Sequence, residues 1–250
     1  MSADFQSNRF LGKTYWLVGA SEGLGLALAQ RLASAGANVV ISARSAAKLE
    51  EAAASIPRAR AVAMDVGNSA SVTAAAATVG TIDGVVFLAG IYTPMTAQNW
   101  NPAEVEAMCD INFTGCARVV GAVLPAMVAR DAGHVVITGS LSGFRGLPGA
   151  IGYAASKAGT MVLAECLYAD LRGTGVKVQL GNPGFIRTRL TDKNTFKMPF
   201  LMEPAQAAEE MFTLMTSNKF SRSFPAAFAA FFRIGNFMPN WLYYRLFAPK

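Results

Sequence analysis

Short runs of apolar residues alternate along the chain with longer stretches in which apolar positions return every three or four residues. The short runs are TYWLVGA, NVVISA, RAVAMD, GVVFLAG, HVVITGS and VKVQLGNPG, each closing on Gly, Asp, Ser or a turn. Near-continuous apolar strands of this kind are covered on both faces, as in a parallel sheet flanked by helices. Between them, LGLALAQRLASAG has the helical period and stops at Gly36, and SAAKLEEAAASI begins at Ser45, a good N-cap. The pattern predicts further helices over 69–79, 102–130, 152–173 and 204–217. The alanine-rich 74–80 belongs to the first of them, because alanine is the best helix former. Strict β-α-β alternation predicts right-handed crossovers and an α/β fold with one doubly wound, mostly parallel sheet. Ligands of such sheets sit beyond the carboxyl ends of the strands, so candidate chemistry is sought there.

Composition agrees with this reading. A chain of 250 residues, 52% hydrophobic and 15% charged, fills one large core, and no linker divides it, so 1–250 reads as a single domain. The net charge of +6 is concentrated at the end: from Met211 onward there are Lys219, Arg222, Arg233, Arg245 and Lys250 and no acidic residue. Nucleic-acid binding needs basic side chains spread along a groove, so no nucleic-acid partner is expected. Cys109, Cys116 and Cys166 have no C-x-x-C spacing and His134 is the sole histidine, so neither a metal site nor a disulfide frame is expected, and the context is reducing. The N-terminal MSADFQSNRFLGK has no apolar signal core, and the apolar runs fall short of the roughly 20 residues that cross a bilayer. The expected location is cytoplasmic.

The first strand runs into VGASEGLGLALAQ, with Gly19, Gly23 and Gly25 between strand and helix. Glycines there permit a tight turn and let a pyrophosphate approach the backbone amides at a helix N-terminus. The spacing is G-x-x-x-G-x-G rather than G-x-G-x-x-G, and a ligand-free glycine turn is the plainer alternative. At the end of the second strand, VVISARS has Ala43 where an acid would hold the ribose hydroxyls of NAD, followed by Arg44, suited to the extra phosphate of NADP. Ser21 and Ser45 add hydroxyls; Glu22 opposes the reading, and Arg44 as a solvated charge is the bland alternative. NADP, with NADPH preferred, is the expected cofactor, and NAD stays open.

Ser140 ends the run HVVITGS; Tyr153 follows thirteen residues on, and Lys157 four after that. Four residues along a helix put Tyr153 and Lys157 on one face, where an ammonium favours the phenolate of a tyrosine whose ordinary pKa is near 10. A phenol so placed can donate a proton to a carbonyl oxygen that becomes negative as hydride arrives, while a serine hydroxyl steadies the charge. Taken alone, Tyr-x-x-x-Lys is more often structural than catalytic.

In this setting the chain resembles the short-chain dehydrogenase/reductase family, in its single-domain branch, from Gly12 to about Thr188. The matching residues are the glycine turn at 19–25, Asp65 and Val66 in MDV, Ala89 and Gly90 in LAG, Asn112 in INFTG, then Ser140, Tyr153, Lys157, and NPGFIRT from Asn182 to Thr188. The resemblance implies a Rossmann fold and an NAD(P)-dependent oxidoreductase acting on an alcohol or carbonyl. It makes Tyr153 the general acid/base, Lys157 the residue that lowers its pKa and holds the nicotinamide ribose, and Ser140 the group that polarises the substrate. Asn112 would kink its helix and help hold a proton-relay water. Ser21, Glu22 and Leu24 would serve the phosphate turn, Asp65 and Val66 the adenine, Ala89 and Gly90 the ribose. Pro183, Gly184, Ile186 and Thr188 would face the nicotinamide. The resemblance also implies a homo-oligomer built through 102–130 and 152–173. The chain departs from the family at Val18, commonly Thr, at Phe87 and Leu88, commonly two asparagines, and at Gly139, commonly Ser. Replacing polar groups at both strand ends is expected to be a compensated apolar repacking. The departures also support the rival reading, a non-catalytic nucleotide-sensing or interaction protein that keeps the fold.

Two segments bear on the substrate. Residues 189–203 match a substrate-covering loop, to which Phe196, Met198, Phe200, Leu201 and Met202 would give an apolar inner face, with Leu141, Phe144, Leu147, Tyr92 and Met95 lining the same cleft. A bulky apolar carbonyl or alcohol is the expected substrate. The aromatic, basic extension 219–250 has Phe224, Phe228, Phe231 and Phe232 at helical spacing, and Arg233, Trp241, Tyr243, Tyr244 and Arg245 as an interfacial mixture. Packing on the core or a partner subunit, a wall of the substrate entrance, and a membrane-surface contact all remain open.

Overall fold

Seven strands, β1 (Thr14–Val18), β2 (Asn38–Ser42), β3 (Ala59–Ala61), β4 (Gly84–Phe87), β5 (Gly133–Thr138), β6 (Val176–Pro183) and β7 (Ser221–Phe224), form one parallel sheet in the order β3-β2-β1-β4-β5-β6-β7. The computed structural model describes residues 9–194 and 196–247; Thr195 in the 189–203 segment and positions 248–250 of the tail, Lys250 included, lie outside them. The helices are α1 (Gly23–Ser34), α2 (Ala46–Ala54), α3 (Ser69–Val79), α4 (Pro102–Cys109), α5 (Gly115–Ala129), α6 (Ile151–Asp170), α7 (Pro204–Thr216), α8 (Ala226–Phe237) and α9 (Asn240–Phe247).

Alternate residues of β1 enter two different cores, which is why its run is apolar throughout. Trp16 and Val18 pack on one face with Val72 of α3, Val119 and Val123 of α5 and Met161 of α6. Tyr15 and Leu17 pack on the other with Leu28 and Leu32 of α1, Leu49 of α2 and Met211 and Phe212 of α7. This is the doubly wound architecture that the hydrophobic pattern predicts. The chain winds outward from β1 to β3, then returns to β4 beside β1, and the crevice beyond the β1 and β4 carboxyl ends is the switch point where such folds bind ligands.

Three local expectations change. The helix read over 102–130 is α4 and α5 joined by a π-helical turn, Asp110–Thr114. That continuous stretch, Pro102–Ala129, is long and apolar enough by composition to cross a bilayer, unlike the shorter runs seen in the sequence, but Val119, Val120, Val123 and Met127 are buried against the sheet. Phe224 is not part of a helical stripe. It closes β7, whose polar Ser221–Ser223 give no apolar run because the strand is an edge, paired only with β6. Ser45 sits at the N-cap of α2 as expected, without a side-chain hydrogen bond.

Toward the amino ends of β1 and β5 lies a buried polar chain. Gln179 Nε2 donates to the carbonyls of Leu214 (2.8 Å) and Lys219 (2.6 Å), so its Oε1 is the acceptor facing His134 Nε2 at 2.9 Å. His134 therefore carries its proton on Nε2, and Nδ1 accepts from the Tyr15 hydroxyl at 2.9 Å. Burial first, and the Lys177 charge second, hold His134 down at about 3, so it is neutral when folded. Below its unfolded pKa of about 6.5 the unfolded chain takes up a proton that the fold excludes, and stability falls as pH drops from there toward 3. The loss is expected to reach at most about 5 kcal/mol. Urea unfolding of wild type and His134→Gln between pH 7 and 4 checks it: the variant's stability should vary less with pH.

Candidate active site

The β1 strand must turn sharply into α1, and glycine is required where backbones meet. Gly19 has φ +90°, and a Cβ there would lie 2.5 Å from the Ala89 nitrogen, so the ends of β1 and β4 approach more closely than any side chain allows. Gly25 is equally confined, since its Cβ would lie 2.2 Å from the Gly19 carbonyl oxygen. Glu22 stands at the N-cap of α1 but makes no side-chain cap, leaving the first helical amides to face the crevice with Ser21 and Leu24 beside them. Its carboxylate is drawn away to Arg189 at 2.7 Å and Lys48 at 4.0 Å. Arg44 is exposed just past the end of β2. Asp65 and Val66 follow β3, where Asp65 Oδ1 accepts from the Gly67 amide at 2.9 Å and Val66 is buried. A bare glycine cradle, uncapped amides and a basic residue along one crevice fit a dinucleotide.

Asn112 ties this crevice to the acid–base group. It is fully buried in the π-helical turn, where its Oδ1 accepts from the Ile91 amide (2.8 Å) and its Nδ2 donates to the Ile91 carbonyl (3.0 Å) and to Ser156 Oγ (2.9 Å). The turn displaces the helical ladder, with Gly115 N–H reaching back to the Asp110 carbonyl, and the Asn112 carbonyl takes the Thr160 hydroxyl at 3.1 Å. Ser156 in turn donates to the Tyr153 carbonyl at 2.8 Å. Ser156 and Thr160 escaped the sequence reading; their spacing of four on the face that carries Tyr153 and Lys157 is the signal that marks them.

Ser140, Tyr153 and Lys157 come together as their spacing implied. Ser140 Oγ accepts from the Ser142 amide at 3.1 Å, and its hydroxyl lies beside the Tyr153 phenol. Lys157 is buried with Nζ 5.9 Å from the centre of the Tyr153 ring and donates to the Thr138 carbonyl at 2.9 Å. Gly90 forms the floor, its missing Cβ 3.3 Å from Asn112 Oδ1 and 3.8 Å from Lys157 Nζ. Burial pushes the Tyr153 phenol above its ordinary value, contact with Ser140 opposes this, and Tyr92, edge-on at 5.1 Å between ring centres, reinforces it. The phenolate expected from the four-residue spacing is thus disfavoured, because desolvation is the largest influence on the buried phenol. Burial also brings Lys157 down to about 8.

From Tyr153 a cleft of about 140 Å³ opens between the loop after β5, the segment after β6 and α8. Tyr92, Leu141, Leu147 and Phe196 line it as expected; Met95, Phe144, Met198, Phe200, Leu201 and Met202 do not. Met95 and Met202 are instead held by backbone bridges to Ala150 and Ile186, and Phe200 packs on Phe228 at 5.6 Å. Unforeseen walls are Phe185, Leu190 and Thr191, while Phe228 and Phe232 take the entrance-wall role left open for the tail. Ile186 and Met202 close the base of the 189–203 segment, and Thr188 packs on the glycine turn, its methyl carbon 2.9 Å from the site of a Gly23 Cβ. Pro183 ends β6 against Phe224, and Gly184 faces Phe228 and Leu141 across the cleft. Of the candidate catalytic and cofactor-binding residues, Tyr153 and Gly184 line the cleft directly.

A family model described as short chain dehydrogenase matches residues 13–198. The chain belongs to the short-chain dehydrogenase/reductase family. An uncharacterized oxidoreductase of Myxococcus xanthus is 39% identical over 239 residues, covering 92% of this chain and 94% of that one. A 3-dehydrosphinganine reductase of Arabidopsis thaliana is 36% identical over 184 residues, 68% of this chain but only 56% of the relative. A solved structure described as a short chain dehydrogenase/reductase family protein superposes with a TM-score of 0.79 at 31% identity, over 86% of this chain and 95% of the other. This short-chain dehydrogenase/reductase is accordingly an NAD(P)-dependent oxidoreductase, and the non-catalytic alternative falls away.

The departures from the family pattern have a common cause in packing. Val18 and Phe87 are partners in the β1–β4 register, each about 1% exposed, and both belong to one apolar core. Gly139 is confined too: a Cβ would lie 2.2 Å from Asn182 Oδ1 and 2.8 Å from Met161 Cγ, so serine does not fit there without displacing them. Returning one polar group alone should be costly, since Phe87→Asn strands an amide in an apolar layer and removes a ring. The expected loss is about 3–5 kcal/mol in urea unfolding. Asn112→Ala, which orphans both backbone groups of Ile91, should cost about 2–4 kcal/mol in the same measurement.

Proposed function

We propose that this enzyme interconverts a bulky apolar ketone or aldehyde and its alcohol with NADPH as the preferred cofactor. The observation that carries the reading is that Tyr153 opens onto a cleft walled by Leu141, Leu147, Phe185, Phe196, Phe228 and Phe232. Apolar walls around one convergent polar group suit the reacting end of a long or ring-bearing carbonyl compound rather than a sugar. The Arabidopsis relative is named as a reductase of 3-dehydrosphinganine, which supports a carbonyl substrate.

In the reductive direction Tyr153, whose phenol burial keeps protonated at neutral pH, gives its proton to the carbonyl oxygen. Ser140 donates a hydrogen bond to the same oxygen. Lys157, cationic below about pH 8, steadies the phenolate that remains and reaches toward the ribose. When bound, the nicotinamide supplies hydride to the carbonyl carbon, and oxidation of the alcohol runs the same proton path in reverse. Asn112 is tied to the Tyr153 carbonyl through Ser156 and lies where a proton-relay water would be held. Gly19, Gly23 and Gly25 take the pyrophosphate, Asp65 and Val66 the adenine, Ala89 and Gly90 the ribose, and Pro183, Gly184, Ile186 and Thr188 the nicotinamide side.

For the cofactor, Arg44 offers an exposed guanidinium beside Ala43, and Glu22, the acid that would repel a phosphate, is offset by Arg189 and Lys48. The exposed Val128 of α5 and Val162 and Tyr168 of α6 support a homo-oligomer. Cys109, Cys116 and Cys166 are all unpaired, which supports a reducing cytoplasm.

Steady-state assays with NADPH and a panel of apolar and polar carbonyls test the reading. Apolar compounds should be turned over faster, and Tyr153→Phe should lose at least about 100-fold in turnover while still binding NADPH; retained turnover would remove Tyr153 as the acid. Arg44→Ala should lower the NADPH to NADH preference about tenfold or more. Because Lys157 loses its charge as pH rises through about 8, kcat/KM for reduction should decline above that pH.

A further inference from the structure

One helix has two apolar faces. Phe228 and Phe232 of α8 turn inward as walls of the substrate cleft. Phe231 (46% exposed), Ile234 (59%) and Phe237 (89%) of the same helix face outward at spacings of three, and Trp241 (69%) and Tyr244 (50%) of α9 repeat the pattern. The two helices are joined at Phe231 and Phe247, whose ring centres lie 5.5 Å apart, so the outward residues belong to one patch. The patch is held in a fixed relation to the catalytic loop. Arg145, five residues past Ser140, donates to the carbonyls of Gly235 (2.5 Å) and Met238 (2.8 Å) and to Asn240 Oδ1 (2.6 Å), and lies 4.0 Å over the Tyr243 ring. Tyr243 in turn donates to the Gly146 carbonyl at 3.0 Å.

We propose that this outer face of α8 and α9 docks on an anionic lipid surface, from which the apolar substrate enters the cleft past Phe228 and Phe232. The proposal rests on the apolar-substrate reading above and names where that substrate is met. Charge selects the occupant. Arg233 and Arg245 are exposed on these helices, and the chain has no acidic residue after Glu210. An isologous contact with a second copy would bring these arginines together with no acid from either tail to offset them, whereas anionic headgroups complement them. Tryptophan and tyrosine beside arginine, over phenylalanine and isoleucine, is the composition of an interfacial helix that lies in the headgroup plane.

The full-length protein is to be centrifuged with vesicles of phosphatidylcholine alone and of phosphatidylcholine with phosphatidylglycerol. Binding to the anionic vesicles, weakened by salt, is expected, and the double variant Phe237→Glu, Trp241→Glu should lose it by at least about tenfold. Neither residue lines the cleft, so turnover of a small water-soluble ketone should not change in the variant. Wild type that ignores vesicles of both compositions, or a variant that binds them as well as wild type, overturns the proposal. So does a variant whose only change is a smaller assembly on size exclusion, because the face would then be a subunit contact. Vesicle binding is read without turnover, so an error in the substrate reading would show in the carbonyl panel and not here.

Discussion

A carboxamide buried inside a helix must find partners for each of its donors and for its acceptor, or the fold loses more than the residue contributes. Asn112 finds them by interrupting the helix. The π-helical turn at Asp110–Thr114 sets its side chain against both backbone groups of Ile91 and against Ser156. That one residue joins the segment after β4, the long helix pair α4–α5, and α6. Through Ser156 it is tied to the Tyr153 carbonyl, and its own carbonyl holds the Thr160 hydroxyl. Ser156 and Thr160 are the complementary half of the arrangement, and neither touches the cleft.

The second constraint is steric. The crevice between β1 and β4 exists because Gly19 presents no side chain to Ala89, and its walls keep their shape because Val18 and Phe87 fill the layer beneath. Apolar partners on both sides of that register leave no orphaned polar group. Burial also sets the electrostatics above it. The phenol holds its proton more tightly and the ammonium less tightly than the free side chains do, so two groups of nearly equal proton affinity in water are driven apart in the direction that serves reduction: an acid that keeps its proton, next to a cation that can stabilise what is left.

The tail carries more of the architecture than its aromatic composition suggests. Phe224 is in the sheet, Phe228 and Phe232 wall the cleft, and Tyr243 is locked under Arg145. Packing and the entrance wall are thus both present in one segment, packing through β7 and α9 and the wall through the inner face of α8. The edge strand β7 was invisible because Ser221, Arg222 and Ser223 have no apolar signature; only pairing with β6 makes them a strand, and Arg222 is held there by Glu210.

Sequence alone determined what depends on local periodicity and on residue type at fixed spacing. The first six strands, the helices between them, the glycine turn, and Ser140, Tyr153 and Lys157 as one group were all legible, because strand and helix periods and short motifs need no distant partner to be read. Tertiary structure decided what depends on residues far apart in the chain. It showed Phe185, Phe228 and Phe232 in the cleft in place of Met198 and Met202, Glu22 neutralised by Arg189, and a Tyr153 phenol raised rather than lowered. The reason is common to all three: burial and cross-chain contact fix which atoms meet and how much water they keep, and neither quantity is written in the spacing of neighbours along the chain.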